Sequence, residues 1–357
     1  MEALTGKQYM VSALKRRDAD RVPTTVLVGP YCARVAGHTV REILTNPQKS
    51  VEAHLAFYER FRPDSVIVYN DMFFEAEAIG CPLEFPEDGI SHPREVLLRD
   101  KGRLGGLSVP DPRRDGRIPQ FLEVCQRVCS AIKAEASMGL GHSGPWNIAV
   151  HLRGAEDLLM DTMDDPAFVH ELMRFTTEVV KAMGEALIEA GFAPSLGEAA
   201  ASCSLISPAI YRSFIKPYHA ELCSHFRSRR APMSLHICGH IDPIMEDVLE
   251  TGIAFMSLDA PSSLARMKAL GGDRVVLMGN VPTGLFADGT REEMEAAVRT
   301  CIETAAPGGG YILASGCEIP LNSTEERIAH FFRYGHECGR RFISGSRKGV
   351  PGPVLAQ

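Results

Sequence analysis

His236 and Cys238 stand two residues apart in the stretch SLHICGHIDP (234–243). Successive side chains of a β-strand point to opposite faces, so Leu235 and Ile237 share one face while His236 and Cys238 share the other. An imidazole and a thiol together at the end of an apolar strand are soft donors of the kind that hold Zn2+. The pair alone is equally compatible with a satisfied core histidine beside a small buried cysteine. A third donor, Cys317, follows Gly316 far down the chain in ILASGCEIP (312–320). Two thiolates and an imidazole leave one position of a zinc tetrahedron free for substrate, which is the pattern of a catalytic rather than a structural site. Glu198, in SLGEAA (195–200), is the carboxylate expected to fill that fourth position and to carry a proton as substrate arrives. Its competing role is that of a strand-end acid bonding the backbone.

These donors need a scaffold that brings distant segments to one place. Short apolar or β-branched runs recur at 24–29, 65–71, 138–145, 193–198, 231–239, 253–259, 274–280 and 310–316. Amphipathic stretches at 47–62, 166–191, 207–229, 241–251, 262–271, 290–306 and 324–343 alternate with them, several opening on a cap and an early proline. Eight strands alternating with helices predict an α/β fold, a (β/α)8 TIM barrel, with a doubly wound sheet as the alternative. The barrel fills 1–345 as a single domain, with an irregular insertion at about 81–119 carrying a small hairpin and a loose tail at 346–357. In such a barrel the active face lies at the C-terminal ends of the strands. Asn70, Asp71, His142, Glu198, His236, Cys238, Asp259, Asn280 and Cys317 all fall there. Of these, Asp259 and Asn280 are expected to meet substrate, as are Met72 and Phe73 beside Asp71.

Composition limits the function classes. The chain has 357 residues, 45% hydrophobic and 23% charged, with a net charge of −7 and no long basic block, so it lacks the basic face of a nucleic-acid binder. No apolar run reaches the ~18 residues of a membrane span, and MEALTGKQYM has no signal-like apolar core. Ten scattered cysteines suit a reducing, cytoplasmic setting, with most of them, Cys125 included, serving as small core residues.

RRDADRVPTTVLVG (16–29), NDMFFEAEAIG (70–80), GPWNIAVHLRG (144–154), ISPAIYRSFIKPYH (206–219) and MGNVPTGLF (278–286) resemble the uroporphyrinogen decarboxylase superfamily over nearly the whole chain. That resemblance independently implies a (β/α)8 barrel. It also implies that Asp71 falls where the decarboxylases keep a key aspartate. Elsewhere the sequence departs from them. GPYCARVAG (29–37) replaces an Arg-Gln-Ala-Gly-Arg motif, His151 stands where a substrate-contacting tyrosine is expected, and SGCEIP (315–320) replaces a late Gly-His-Gly. Without the arginine pair, a substrate bearing many carboxylates loses its counter-charges.

The departures are similar to the zinc-dependent corrinoid methyltransferases, which share the barrel and a His-x-Cys with a distant Cys as zinc ligands. That branch implies Zn2+ on His236, Cys238 and Cys317. It also implies a corrinoid (cobalamin) supplied by a separate corrinoid-binding protein, since the chain has no Asp-x-His-x-x-Gly signature of its own. The small-molecule partner is then a methyl donor or acceptor. O-demethylation of a methoxylated aromatic is the favoured reaction, and methylation of a thiol such as coenzyme M the alternative. A uroporphyrinogen decarboxylase and a non-catalytic zinc-binding barrel are the further readings.

Overall fold

The computed structural model describes residues 4–17 and 19–348. Its barrel strands lie on the eight expected segments, overrunning them by at most one residue at either end. They are Ser65–Val68, Ser137–Leu140 continued by His142–Ser143, Ser195–Gly197, Ser234–Ile237, Phe255–Leu258, Val276–Val281 and Tyr311–Ser315, preceded by an extended segment at 24–27. Parallel pairing runs unbroken from His142–Ser143 to Tyr311–Ser315, and Ser65–Val68 pairs in parallel with Ser137–Leu140.

The 24–27 segment is less regular than its TTVLVG sequence suggests. Only Thr24 and Leu27 make strand-type bridges, to Leu313 and Glu318. Pro23, lacking an N–H, still accepts from Leu313 N at 2.9 Å, while Thr25 N donates to Leu313 O at 2.9 Å and Thr25 Oγ1 to Ser65 O at 2.7 Å. The segment thus joins the last strand to the second and closes a (β/α)8 barrel. The doubly wound alternative fails on this closure.

Helix starts follow their caps. Asn46, Asp165 and Ser207 each accept a backbone N–H two or three residues into a helix that opens with proline. The stretch read as one helix at 207–229 is interrupted. An α turn at Pro208–Ile210 passes through a π segment, Tyr211–Ile215, into Lys216–Ser228. Pro217 removes one N–H from the ladder at that junction, which accounts for the change of register.

The 81–119 insertion contains the expected hairpin, Leu83–Glu84 against His92–Pro93, and a 3-10 turn at Lys101–Gly106. The last helix, Glu325–Lys348, runs past the boundary expected at 345, and 349–357 lie outside the described residues. No helix among the described residues is long and apolar enough to cross a membrane.

The barrel floor is plugged by the N-terminal helix Gly6–Leu14, whose Met10 and Ala13 pack with Val276, Met278, Ile312 and Ala314. Beside that floor, Asp64 accepts from Arg21 at 2.5 and 2.7 Å and from Thr24 N at 2.7 Å, all buried. This bidentate pair ties the closing segment to the second strand. Asp64→Ala leaves the Arg21 guanidinium buried without its partner and should cost about 3–5 kcal/mol. Thermal unfolding of the variant measures this, and an unchanged midpoint would contradict the role.

Candidate metal centre

The fifth strand carries His236 and is followed at once by Cys238; Cys317 follows the eighth. The barrel brings all three together: Cys238 Sγ lies 3.3 Å from His236 Nε2, Cys317 Sγ 3.6 Å from the same nitrogen, and the two sulfurs are 3.6 Å apart. Around a tetrahedral zinc with Zn–S of about 2.3 Å and Zn–N of about 2.0 Å, the corresponding edges are roughly 3.6 Å for S···N and 3.8 Å for S···S. The donor triangle therefore already has the dimensions of one face of that tetrahedron. The chemistry of the set agrees. In the protein alone the Cys317 thiol is pushed far above the ordinary range, first by its hydrogen bond with Cys238 and then by burial. A divalent cation is what allows both sulfurs to be thiolates so close together.

The surroundings fix these donors. His236 Nδ1 meets Ser257 Oγ at 3.0 Å, which orients the ring and leaves Nε2 toward the sulfurs. Gly239 has φ +71°, and a Cβ there would lie 2.6 Å from Ser202 Oγ, so only glycine permits the turn after Cys238. Asp259 bonds one ligand loop and lies close against the other. Its Oδ2 accepts from Gly239 N at 2.7 Å, and its Oδ1 would lie 2.9 Å from any Cβ on Gly316.

A cavity of about 410 Å3 opens beside the donors, walled mainly by apolar side chains from the strands and their loops. His236, Cys238, Cys317, Asp71, Met72, Phe73 and His151 all line it. Asp71 is held in place: Arg117 donates to its Oδ2 at 2.7 Å, Ser91 Oγ to the same oxygen at 2.7 Å, and Phe73 N to its Oδ1 at 3.0 Å. His151 packs against Phe73 with ring centroids 4.1 Å apart and the rings tilted by 33°.

Three expected site residues stand elsewhere. Glu198 does not join the donor group, whose ligand atoms lie within 4.8 Å of one another. Its carboxylate accepts from Trp146 N at 3.1 Å and Asn147 N at 2.9 Å, at the N-terminus of the helix Pro145–Arg153, and meets His219 Nε2 at 3.2 Å. Free N–H groups and the positive end of the helix outcompete a distant metal position for this anion. Gly144 makes room for it, since a Cβ there would lie 2.2 Å from Glu198 Oε1. The fourth-ligand expectation is corrected accordingly. Asp259 does not line the cavity and acts through the loops. Asn280 is buried away from the cavity, donating to Asp259 O at 3.2 Å and Ser262 O at 2.9 Å. His142, also at a strand end, is fully buried beside Glu75, 3.4 Å away.

Two residues were passed over in the sequence. Glu318, directly after Cys317, lines the cavity; it is open to that space yet hemmed in by the barrel, and desolvation pushes its carboxyl up to about 7. A cation on the neighbouring sulfurs would lower that value. Tyr69, at the end of the SVIVY run, also lines the cavity. In both cases the signal was adjacency to a residue already singled out.

Glu198→Ala strips two buried N–H groups and His219 of their acceptor and should destabilise the protein by about 2–4 kcal/mol while leaving its divalent-metal content unchanged. Loss of metal from a folded Glu198→Ala protein would restore Glu198 as a ligand.

The family described as Uroporphyrinogen decarboxylase (URO-D) matches residues 5–338. A uroporphyrinogen decarboxylase from Thioalkalivibrio sulfidiphilus is 27% identical over 352 residues, covering 93% of this chain and 98% of that protein. A methylcobamide:CoM methyltransferase from Methanosarcina barkeri is 25% identical over 340 residues, covering 92% and 98%. The solved structure of a methyltransferase from Methanosarcina mazei aligns with a TM-score of 0.84 at 24% identity, over 94% of this chain and 99% of that one, a likeness of fold. With its barrel closed and a single family match running almost from end to end, the chain belongs to the uroporphyrinogen decarboxylase (URO-D) family.

Proposed function

We propose that this protein is a zinc-dependent corrinoid methyltransferase, moving a methyl group between a substrate heteroatom and the cobalt of a corrinoid held by a partner protein. The observation that carries this reading is the triangle of His236, Cys238 and Cys317, with edges of 3.3, 3.6 and 3.6 Å. A relative of similar extent, named a methylcobamide:CoM methyltransferase, supports it. Relatives named uroporphyrinogen decarboxylases match equally well, but among the described residues no lysine or arginine lines this cavity. A polycarboxylate would therefore find no counter-charge there.

Bound at the triangle, zinc would supply Lewis acidity to the oxygen or sulfur that carries the methyl group. The chain's own residues do the remainder. Ser257 holds the His236 ring, and Asp259 holds the turn that follows Cys238. Met72 and Phe73 give the cavity an apolar wall that excludes water and suits an aromatic methyl ether, the substrate type we favour. Methylation of a thiol is the second reading, supported by the name of the Methanosarcina relative. The free cysteines favour a cytoplasmic setting.

The test combines metal content with transfer. Wild-type protein should hold about one zinc per chain and exchange methyl groups with cob(I)alamin or methylcobalamin when offered methoxylated aromatics or thiols. Cys238→Ala and Cys317→Ala should lose both zinc and transfer while remaining folded, and Cys125→Ala, buried in a separate core cluster, should keep both. Unchanged zinc in both ligand variants would refute the site. Turnover of uroporphyrinogen at about 1 per second or faster would refute the reaction.

A further inference from the structure

We propose that the cavity beside His236, Cys238 and Cys317 takes an uncharged methyl substrate with an apolar body and rejects anionic members of the same class. This rests on the methyl-transfer reading of the site and adds to it the charge of the substrate.

The features that would hold an anion are already engaged. Arg117, the guanidinium that reaches a cavity residue, bonds Asp71 Oδ2 at 2.7 Å, Glu77 Oε2 at 2.6 Å and Leu44 O at 3.3 Å. The N-terminus of Pro145–Arg153 is closed by the Glu198 carboxylate. Among the described residues no guanidinium or ammonium lines the cavity, and the carboxyl of Glu318 opens onto it. A sulfonate or carboxylate entering this space would be desolvated without a counter-charge, and an unpaired buried charge is strongly disfavoured.

Apart from Glu318, the polar groups left for a ligand are neutral. Asn70 and Asn147 line the cavity, but their amides already bond Gly141 O and Met72 N, and Gly197 O and Ala200 N. Tyr69 and His151 differ: among the described residues neither the phenol hydroxyl nor the imidazole has a hydrogen-bond partner. Tyr69 is anchored through its backbone instead, donating N–H to His54 Nε2 at 2.8 Å, with His54 Nδ1 donating to Ser50 O at 2.7 Å. Burial lifts the Tyr69 phenol well above its ordinary range and pushes the His151 imidazole down to about 3, so both stay uncharged near neutral pH. A phenol and a neutral imidazole suit the hydroxyl, ether or carbonyl oxygen of a neutral molecule.

The test is calorimetric binding to the zinc-loaded protein without corrinoid, using matched probes. One pair is 2-methoxyphenol against 4-hydroxy-3-methoxybenzoate, and the other is 2-mercaptoethanol against 2-mercaptoethanesulfonate. In each pair the neutral member should bind at least about tenfold more tightly. Tyr69→Phe should weaken 2-methoxyphenol by roughly five- to twentyfold, with zinc content and thermal midpoint unchanged. Equal or tighter binding of the anion in either pair overturns the proposal. So does failure of both members of a pair to bind at millimolar concentration, or an unaltered affinity in folded Tyr69→Phe. Because no corrinoid is present, a failure of methyl transfer alone counts against the function and leaves the binding result standing. Transfer from an anionic substrate alone counts against the charge preference.

Discussion

Two sulfurs 3.6 Å apart, each within 3.6 Å of the same imidazole nitrogen, form an arrangement that is unstable as two thiolates without a cation. The rest of the upper barrel is organised around that constraint. Ser257 selects which ring nitrogen of His236 faces the sulfurs, because the hydroxyl bonds the other one. Asp259, one strand over, takes the Gly239 N–H and abuts Gly316, so its carboxylate bonds one cysteine loop and packs against the other. Gly239 and Gly316 are small because any Cβ would strike a neighbouring loop: the Ser202 hydroxyl in one case and the Ala260 backbone in the other.

A second theme is internal neutralisation. The acids nearest the cavity are matched to partners inside the protein, Asp71 to Arg117 and Glu198 to a helix N-terminus. Such pairing leaves no free cation on the cavity, and Glu318 is the one carboxyl there without a partner among the described residues. What remains is a largely apolar chamber with a phenol, an imidazole and the Glu318 carboxyl and, at one edge, the soft donors. A methyl group, which has no charge to be steered, is positioned there by shape and by the heteroatom that carries it.

Much of this was legible in the sequence. The strands were found because buried parallel strands read as apolar runs, and the helices because prolines and caps mark their starts. Strand parity puts His236 and Cys238 on one face, and the distant Cys317 is brought beside them by the barrel. The same parity, applied across the sheet, explains why Glu198 stands apart from the donors. Gly197 is the registered partner of His236 and faces the cavity with it, so Glu198, one residue later, turns outward to the helices. That register is a tertiary fact that no local pattern in SLGEAA contains. Asn280 fell to a similar limit, because a polar residue at a strand end serves equally well to tie loops together. Tyr69 was hidden because an aromatic at the end of an apolar run reads as core, and Glu318 because the cysteine before it drew the whole interpretation. The broken helix at 207–229 was written in Pro217, which a reading by periodicity overlooks.

X-ray absorption at the zinc edge of the purified protein reads the donor set itself. Two sulfur neighbours at about 2.3 Å and one nitrogen at about 2.0 Å are expected, with one exchangeable light atom completing the shell. That light atom should give way to a third sulfur when a thiol is added. A shell without sulfur, or one that keeps four protein ligands and does not respond to added thiol, would contradict the catalytic zinc site on which the account is built.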